Sequence, residues 1–142
     1  MLEEVMSVWP NRVPAPPPLA GAEGALISVS IHVQPSCLES LLEALAAVDF
    51  PINPEIYHDA AMVYRYADGR EKTEPVTLVE FPAYQNRLDE VRRSVEAFGF
   101  EADSIHAVGM LEQIQSEVPR EAAPEGAAYV SRHRVKRRAA AV

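Results

Sequence analysis

Aliphatic residues occupy every second position of residues 26–33, with serine or histidine between them. An alternation with a period of two predicts a β-strand with one apolar and one polar face. Two further runs, residues 62–66 and 76–81, are rich in aromatic and β-branched residues, and Asp68-Gly69 lies between them. Because Asp-Gly favours tight turns, these two runs predict a β-hairpin with a polar connection.

Leucine and valine recur every three or four residues in two other stretches, which predicts two amphipathic helices. The first helix is expected to begin at Ser36, with Glu39 completing a capping box, and to end before Pro51. The second is expected to begin at Asn86 and to end at Gly99, a natural C-terminal cap. The apolar stripes are Leu38, Leu41, Leu42, Leu45 and Val48 in the first helix and Leu88, Val91, Val95 and Phe98 in the second.

A last strand is predicted over residues 105–111, so the central elements run strand, helix, two strands, helix, strand. This is the βαββαβ order of the ferredoxin-like unit, an antiparallel sheet with both helices on one face. We therefore predict an α+β fold in three parts. Residues 1–25 form a docking segment and proline-rich linker, residues 26–114 the ferredoxin-like domain, and residues 115–142 a linker and basic tail.

The chain has 142 residues and a formal net charge of −8, and all of its acidic residues precede residue 126. An acidic body repels nucleic acid, so only the C-terminal tail is suited to bind it. A single cysteine, Cys37, excludes an internal disulfide bond. Residues 1–4 are acidic and no long apolar run follows, so we expect a cytoplasmic protein that does not span a membrane.

The first nine residues carry apolar side chains at the spacing of one helix face. A helix this short is not stable alone in water, so it needs a surface to dock on. Three alternatives stay open: the segment docks on its own domain or a sister subunit, it docks in a groove of a different protein, or it frays. The apolar residues are Leu2, Val5, Met6 and Trp9.

The basic tail is a second candidate docking element. It suits binding to RNA, to DNA, to an anionic membrane surface or to an acidic patch of a partner protein. The alternatives are a disordered solubilising tail and an intramolecular contact with the acidic body. The basic residues are Arg132, Arg134, Lys136, Arg137 and Arg138.

No sequence motif of a known catalytic or phosphate-binding loop occurs, but two groups of side chains carry chemistry. The first and last strands of a ferredoxin-like sheet are neighbours, so His32 and His106 are expected on the same polar face. Two histidines can begin a divalent-metal site, with a third ligand from Tyr57, His58 or another subunit. The alternative is two histidines on a polar or subunit-contacting face. The predicted ligand-binding residues are Tyr57, His58, Tyr64 and Tyr66.

The predicted hairpin resembles that of a known superfamily. Residues 63–69 (Val-Tyr-Arg-Tyr-Ala-Asp-Gly) and residues 76–79 (Val-Thr-Leu-Val) are similar to the hairpin of PII-like proteins, nearest the divalent-cation-tolerance (CutA) branch. Residues 88–98 resemble the helix that follows it, and Asn53 an asparagine after the first helix; Tyr66 stands where that branch usually has Trp. The resemblance implies a compact oligomer, commonly a trimer, with a sensing or partner-binding role. ACT-like regulatory domains share the strand order and imply a dimer that binds a small metabolite.

These observations lead to one principal hypothesis and two alternatives. The principal hypothesis is a non-enzymatic regulatory or accessory binding module, an oligomeric ferredoxin-like domain whose terminal extensions dock onto a partner protein. One alternative is a small dimeric α+β barrel enzyme that uses the open sheet face as a pocket. The other is nucleic-acid binding through the basic tail.

Overall fold

A computed structural model describes residues 20–21, 23–115 and 120–136. Within them lie a seven-stranded sheet and three α-helices. The strands are β1 (Ala20–Gly21), β2 (Gly24–Val33), β3 (Glu55–Arg65), β4 (Glu71–Tyr84), β5 (Ile105–Gly109), β6 (Arg120–Ala122) and β7 (Ser131–Val135). The helices are α1 (Leu38–Ala46), α2 (Leu88–Ala97) and α3 (Met110–Gln115).

The strand order in the centre of the sheet is β5–β2–β4–β3, and every pairing is antiparallel. Ile31 of β2 pairs with Val79 of β4 on one side and with Ile105 of β5 on the other. This is the ferredoxin-like arrangement, so the predicted α+β fold class is confirmed. The alternating aliphatic residues of β2 pack with the buried faces of α1 and α2 in one core, which includes Leu41 and Val91.

The β3–β4 hairpin confirms the predicted pair of strands and is longer than expected. Its register shifts between Tyr57 and Ala60, which is a β-bulge. Beyond the bulge, a second and smaller apolar cluster includes Met62 and Leu78, with Tyr57 and Tyr64 packed against it. These side chains occupy the sheet face that the helices leave free.

The C-terminal part of the domain differs from the prediction. The last predicted strand ends at Gly109, and Met110–Gln115 form α3 instead of extending that strand. Residues 115–142 were expected to be a linker and tail, yet β6 and β7 lie within them. β7 pairs with the outer edge of β3, and β6 pairs with β7. The domain therefore extends well beyond residue 114, because the free edge of β3 offers backbone hydrogen bonds that a polar strand can satisfy.

The helix ends are only partly as predicted. Short 3-10 turns, Pro35–Cys37 and Gln85–Arg87, lead into α1 and α2, and no side-chain hydrogen bond caps either helix. The capping boxes expected at Ser36 and Asn86 are therefore not formed. The predicted C-terminal cap of α2 is confirmed, because Gly99 has a φ of 97° and Phe100 N–H donates to the carbonyl of Val95.

Replacing Gly99 by alanine is expected to lower the free energy of unfolding by about 1 kcal/mol, because a Cβ disfavours positive φ. Urea unfolding measures this change. Replacing Gly109, which does not have a positive φ, by alanine is the control, and each Cβ would have open space around it. An equal loss in both variants would contradict the role of the backbone conformation at Gly99.

Candidate functional site

The strands bring three polar residues together on the sheet face opposite the helices. Ser30 of β2 lies directly opposite His106 of β5, and His32 is two residues further along β2 on the same face. The prediction that the two histidines share this face is confirmed by the register. Ser28 and Ser30 are only 8% and 6% exposed, so little of this part of the face reaches solvent.

Glu121 of β6 is the centre of the charges that cover this face. Its carboxylate accepts hydrogen bonds from Arg132 Nε at 3.1 Å and from Arg134 Nε at 2.6 Å, both on β7. Nδ1 of His106 lies 3.7 Å from the same carboxylate. Glu121 and Arg132 are 8% and 6% exposed, so this is a buried charge cluster.

The same two arginines connect β7 to the turn before β5. Arg132 Nη2 donates to the backbone carbonyl of Asp103, and Arg134 Nη1 donates to that of Ser104 at 3.3 Å. The β6–β7 hairpin therefore crosses the free face of the sheet in this region. It is hydrogen-bonded to the residues before β5, at the opposite edge. We call Ser30, His32, His106, Glu121, Arg132 and Arg134 the buried polar cluster.

The surroundings shift the pKa values of the ionisable groups in this cluster. Burial, reinforced by the charges of Arg134 and Arg132, lowers the pKa of His32 to about 3. Burial also lowers the pKa of His106. Burial alone would raise the pKa of Glu121, but hydrogen bonds and charge from the arginines outweigh it and lower that pKa. Both histidines are therefore neutral and the glutamate is ionised at neutral pH.

Several polar atoms of the cluster are buried without a hydrogen-bond partner among the described residues: Ser30 Oγ, His32 Nδ1 and His106 Nε2. In the described part of the chain, no group of three or more His, Cys, Asp or Glu side chains is placed to hold a metal ion. The metal site predicted at His32 and His106 stays a prediction, and its third ligand would have to come from elsewhere.

The predicted ligand-binding residues do not come together in one site. Tyr57 donates to Glu55, while Tyr64 packs edge-on against Tyr129 with the ring centroids 4.8 Å apart. Tyr66 lies near the hairpin turn beneath the guanidinium of Arg70. His58 is exposed at the bulge of β3.

Three of the predicted partner-binding residues of the tail lie within the described residues, and their side chains contact carboxylates of the same domain. Arg132 and Arg134 bind Glu121, as described above, and Lys136 Nζ lies 2.9 Å from Glu80 and over the ring of Tyr57. These three side chains are therefore not a free basic arm, and intramolecular contact with the acidic body is the alternative that the structure supports. The remaining predicted docking residues, Leu2, Val5, Met6, Trp9, Arg137 and Arg138, lie outside the described residues.

An open groove of about 510 Å³ runs beside the buried polar cluster, between α2, the turn before β5 and the β6–β7 hairpin. Sequence reasoning missed it, because its residues are far apart in the chain and follow no motif. The only sequence signal was the pair Arg92-Arg93 on α2 and the arginines that follow residue 119. Residues of opposite charge line the groove: Arg92, Arg120 and Arg132, and Asp103 and Glu121, together with His106.

Comparison with known proteins adds little to the geometry. No protein-family model and no curated protein matches the sequence. A solved structure of the B. subtilis GlnK–ATP complex matches with a TM-score of 0.40 and 14% sequence identity, over 60% of this chain and 84% of that one. This similarity is too low to argue from, so the fold assignment rests on strand order and register. In the part of the chain that the structure describes, no helix has the length and apolar character needed to cross a membrane.

Proposed function

We propose that this chain is a non-enzymatic regulatory or accessory module, an oligomeric ferredoxin-like domain of the cytoplasm whose N-terminal extension docks onto a partner protein, here a second copy of the chain. The observation that carries the proposal is the apolar face of α3. Leu111 and Ile114 lie three residues apart on this helix and are 54% and 73% exposed. α3 packs on β2 and β5 of its own domain but leaves these two apolar side chains in solvent, so they are suited to contact a partner surface.

β1, the first strand of the described residues, lies beside the start of α3. Ala20 of β1 pairs with Ala25 of β2, and Ile27 of β2 pairs with Gly109, the residue before α3. Ala20, where β1 begins, therefore lies close to the start of α3. The apolar side chains of residues 2–9 match the apolar face of α3 in character, and we propose that the segment of one copy covers α3 of a second copy.

Two features of the structure weigh against the alternative functions. The enzyme hypothesis needs the free sheet face around His32 and His106 as an open pocket, but the β6–β7 hairpin covers that part of the face. The nucleic-acid hypothesis needs free basic side chains, but Arg132, Arg134 and Lys136 bind carboxylates of the same domain. The resemblance to the PII-like superfamily and its CutA branch favours a trimer, whereas an ACT-like module would be a dimer.

Light scattering after size exclusion is expected to give the mass of a trimer or dimer for the full chain. Replacing Leu111 and Ile114 by serine is expected to give a monomer, because it removes the apolar contact surface. Removal of residues 1–19 is expected to give the same result. The matched control is Val130→Ser, because Val130 is 51% exposed but lies on the segment before β7. A monomeric full chain, or an oligomer that the α3 substitutions leave intact, would contradict the proposal.

A further inference from the structure

We infer that the groove between α2 and the β6–β7 hairpin is a binding site for a small metabolite that carries a phosphate or carboxylate group. The inference goes beyond the proposed assembly, since the groove and α3 are separate surfaces. Three elements build it: α2 contributes Arg92, β6 contributes Arg120 and Glu121, and β7 contributes Arg132.

Arg92 carries a hydrogen-bond donor that no acceptor among the described residues satisfies. Nε of Arg92 is buried and has no hydrogen-bond partner in the described part of the chain. A guanidinium is protonated at any physiological pH, so this atom is always an N–H donor that requires an acceptor. Buried donors in folded proteins are almost always paired, because an unpaired one loses its hydration without compensation. Arg92 lines the groove, so an oxyanion bound there would provide the acceptor once the side chain turns Nε towards it.

Positive charge exceeds negative charge along the groove, which three arginines and two carboxylates line. Glu121 is already engaged by Arg132 and Arg134, so it does not neutralise the other arginines. No described residue forms an ion pair with Arg92 or Arg120, and the remaining carboxylate of the groove, that of Asp103, is exposed. A local excess of positive charge on a chain with a net charge of −8 marks this surface as the one suited to an anion.

The N–H donors of the groove have the geometry that an oxyanion requires. The planar guanidinium presents paired N–H groups that match the two oxygens of a carboxylate or phosphate. His106 adds Nε2, a second buried atom without a partner, and a neutral imidazole can donate or accept there. A groove of about 510 Å³ is large enough for a small metabolite rather than only an inorganic ion.

Isothermal titration calorimetry of the full chain at low ionic strength tests the inference, with inorganic phosphate and succinate as separate probes. At least one probe is expected to bind, and the stronger of the two identifies the anionic group. Arg92→Gln is expected to weaken binding at least about tenfold, the loss typical of a charge-assisted hydrogen bond. Arg92→Lys keeps the charge but loses the paired donors, so it is expected to weaken binding too.

The matched control is Arg93→Gln. It removes the same charge from the next position of α2, where the side chain is exposed and outside the groove, and it is expected to leave affinity unchanged. Arg120→Gln provides a second groove variant if Arg92→Gln impairs folding. Absence of binding by both probes, or an equal loss in the Arg92 and Arg93 variants, would overturn the inference, because the anion would then respond only to net charge.

Discussion

Replacing Glu121 by glutamine is expected to be the most destabilising single change of charge in this domain. The substitution keeps the size of the side chain but leaves the buried charges of Arg132 and Arg134 without their carboxylate. Removing one member of a buried ionic cluster costs on the order of 3–5 kcal/mol, because the remaining charge stays desolvated and unpaired. Urea unfolding followed by circular dichroism measures the change.

The matched control is Glu71→Gln, which removes the carboxylate from the ion pair between Arg65 and Glu71. Those two side chains are 46% and 45% exposed, so the expected loss is at most about 1 kcal/mol. Similar losses for the two variants would contradict the assignment of Glu121 as the centre of a buried cluster. The same result would show that the β6–β7 hairpin contributes little to stability.

Acidification is expected to destabilise the protein through His32. Its pKa in the folded state is about 3, well below the ordinary value of 6.5, because the side chain is buried near Arg134 and Arg132. The unfolded chain therefore takes up a proton on this histidine below pH 6.5 while the folded chain does not. Its contribution to stability is complete above pH 6.5 and is lost as the pH falls towards 3. Between pH 7 and pH 5 the loss is about 2 kcal/mol.

A comparison of variants isolates this effect. His32→Gln cannot take up the proton, so its free energy of unfolding is expected to depend less steeply on pH than that of the wild type between pH 7 and pH 5. His58→Gln removes an exposed histidine at the bulge of β3 and serves as the control. Parallel pH profiles for the wild type and the His32 variant would show that His32 is not the group responsible.

The elements that alternate or repeat apolar residues were predictable from the sequence. Residues 26–33 and most residues of the stripes of α1 and α2 bury side chains at a regular period, so their structure is encoded locally, whereas Phe98 lies beyond α2 and is 43% exposed. The role of Gly99 was also predictable from local sequence, because the residue that ends a helix often needs a positive φ, which glycine adopts most easily. The exact starts of the helices were not predictable. A 3-10 turn leads into each helix, and its backbone hydrogen bonds take the place of a cap by the side chain of Ser36 or Asn86.

The C-terminal strands were not predictable in this way. Residues 131–135 contain three charged or ionisable side chains in a row, a composition that normally indicates solvent exposure. Their burial depends on Glu121, which lies in a stretch that resembles a linker, and on the carbonyl groups of Asp103 and Ser104. A pattern confined to one segment carries no information about such distant partners. The shared face of His32 and His106 was predictable, because it follows from strand order alone.

The position of β7 also has a consequence for how the chain folds. Met62 of β3 pairs with Arg134 of β7, so this pairing joins strands separated by some seventy residues, and the ribosome makes β7 well after β3. Until β7 pairs with β3, the edge of β3 and the apolar cluster around Met62 are unprotected. Long-range pairings form slowly, and an exposed strand edge favours association between chains. Loss of the last strand through truncation would therefore leave a species that is prone to aggregate rather than a smaller working domain.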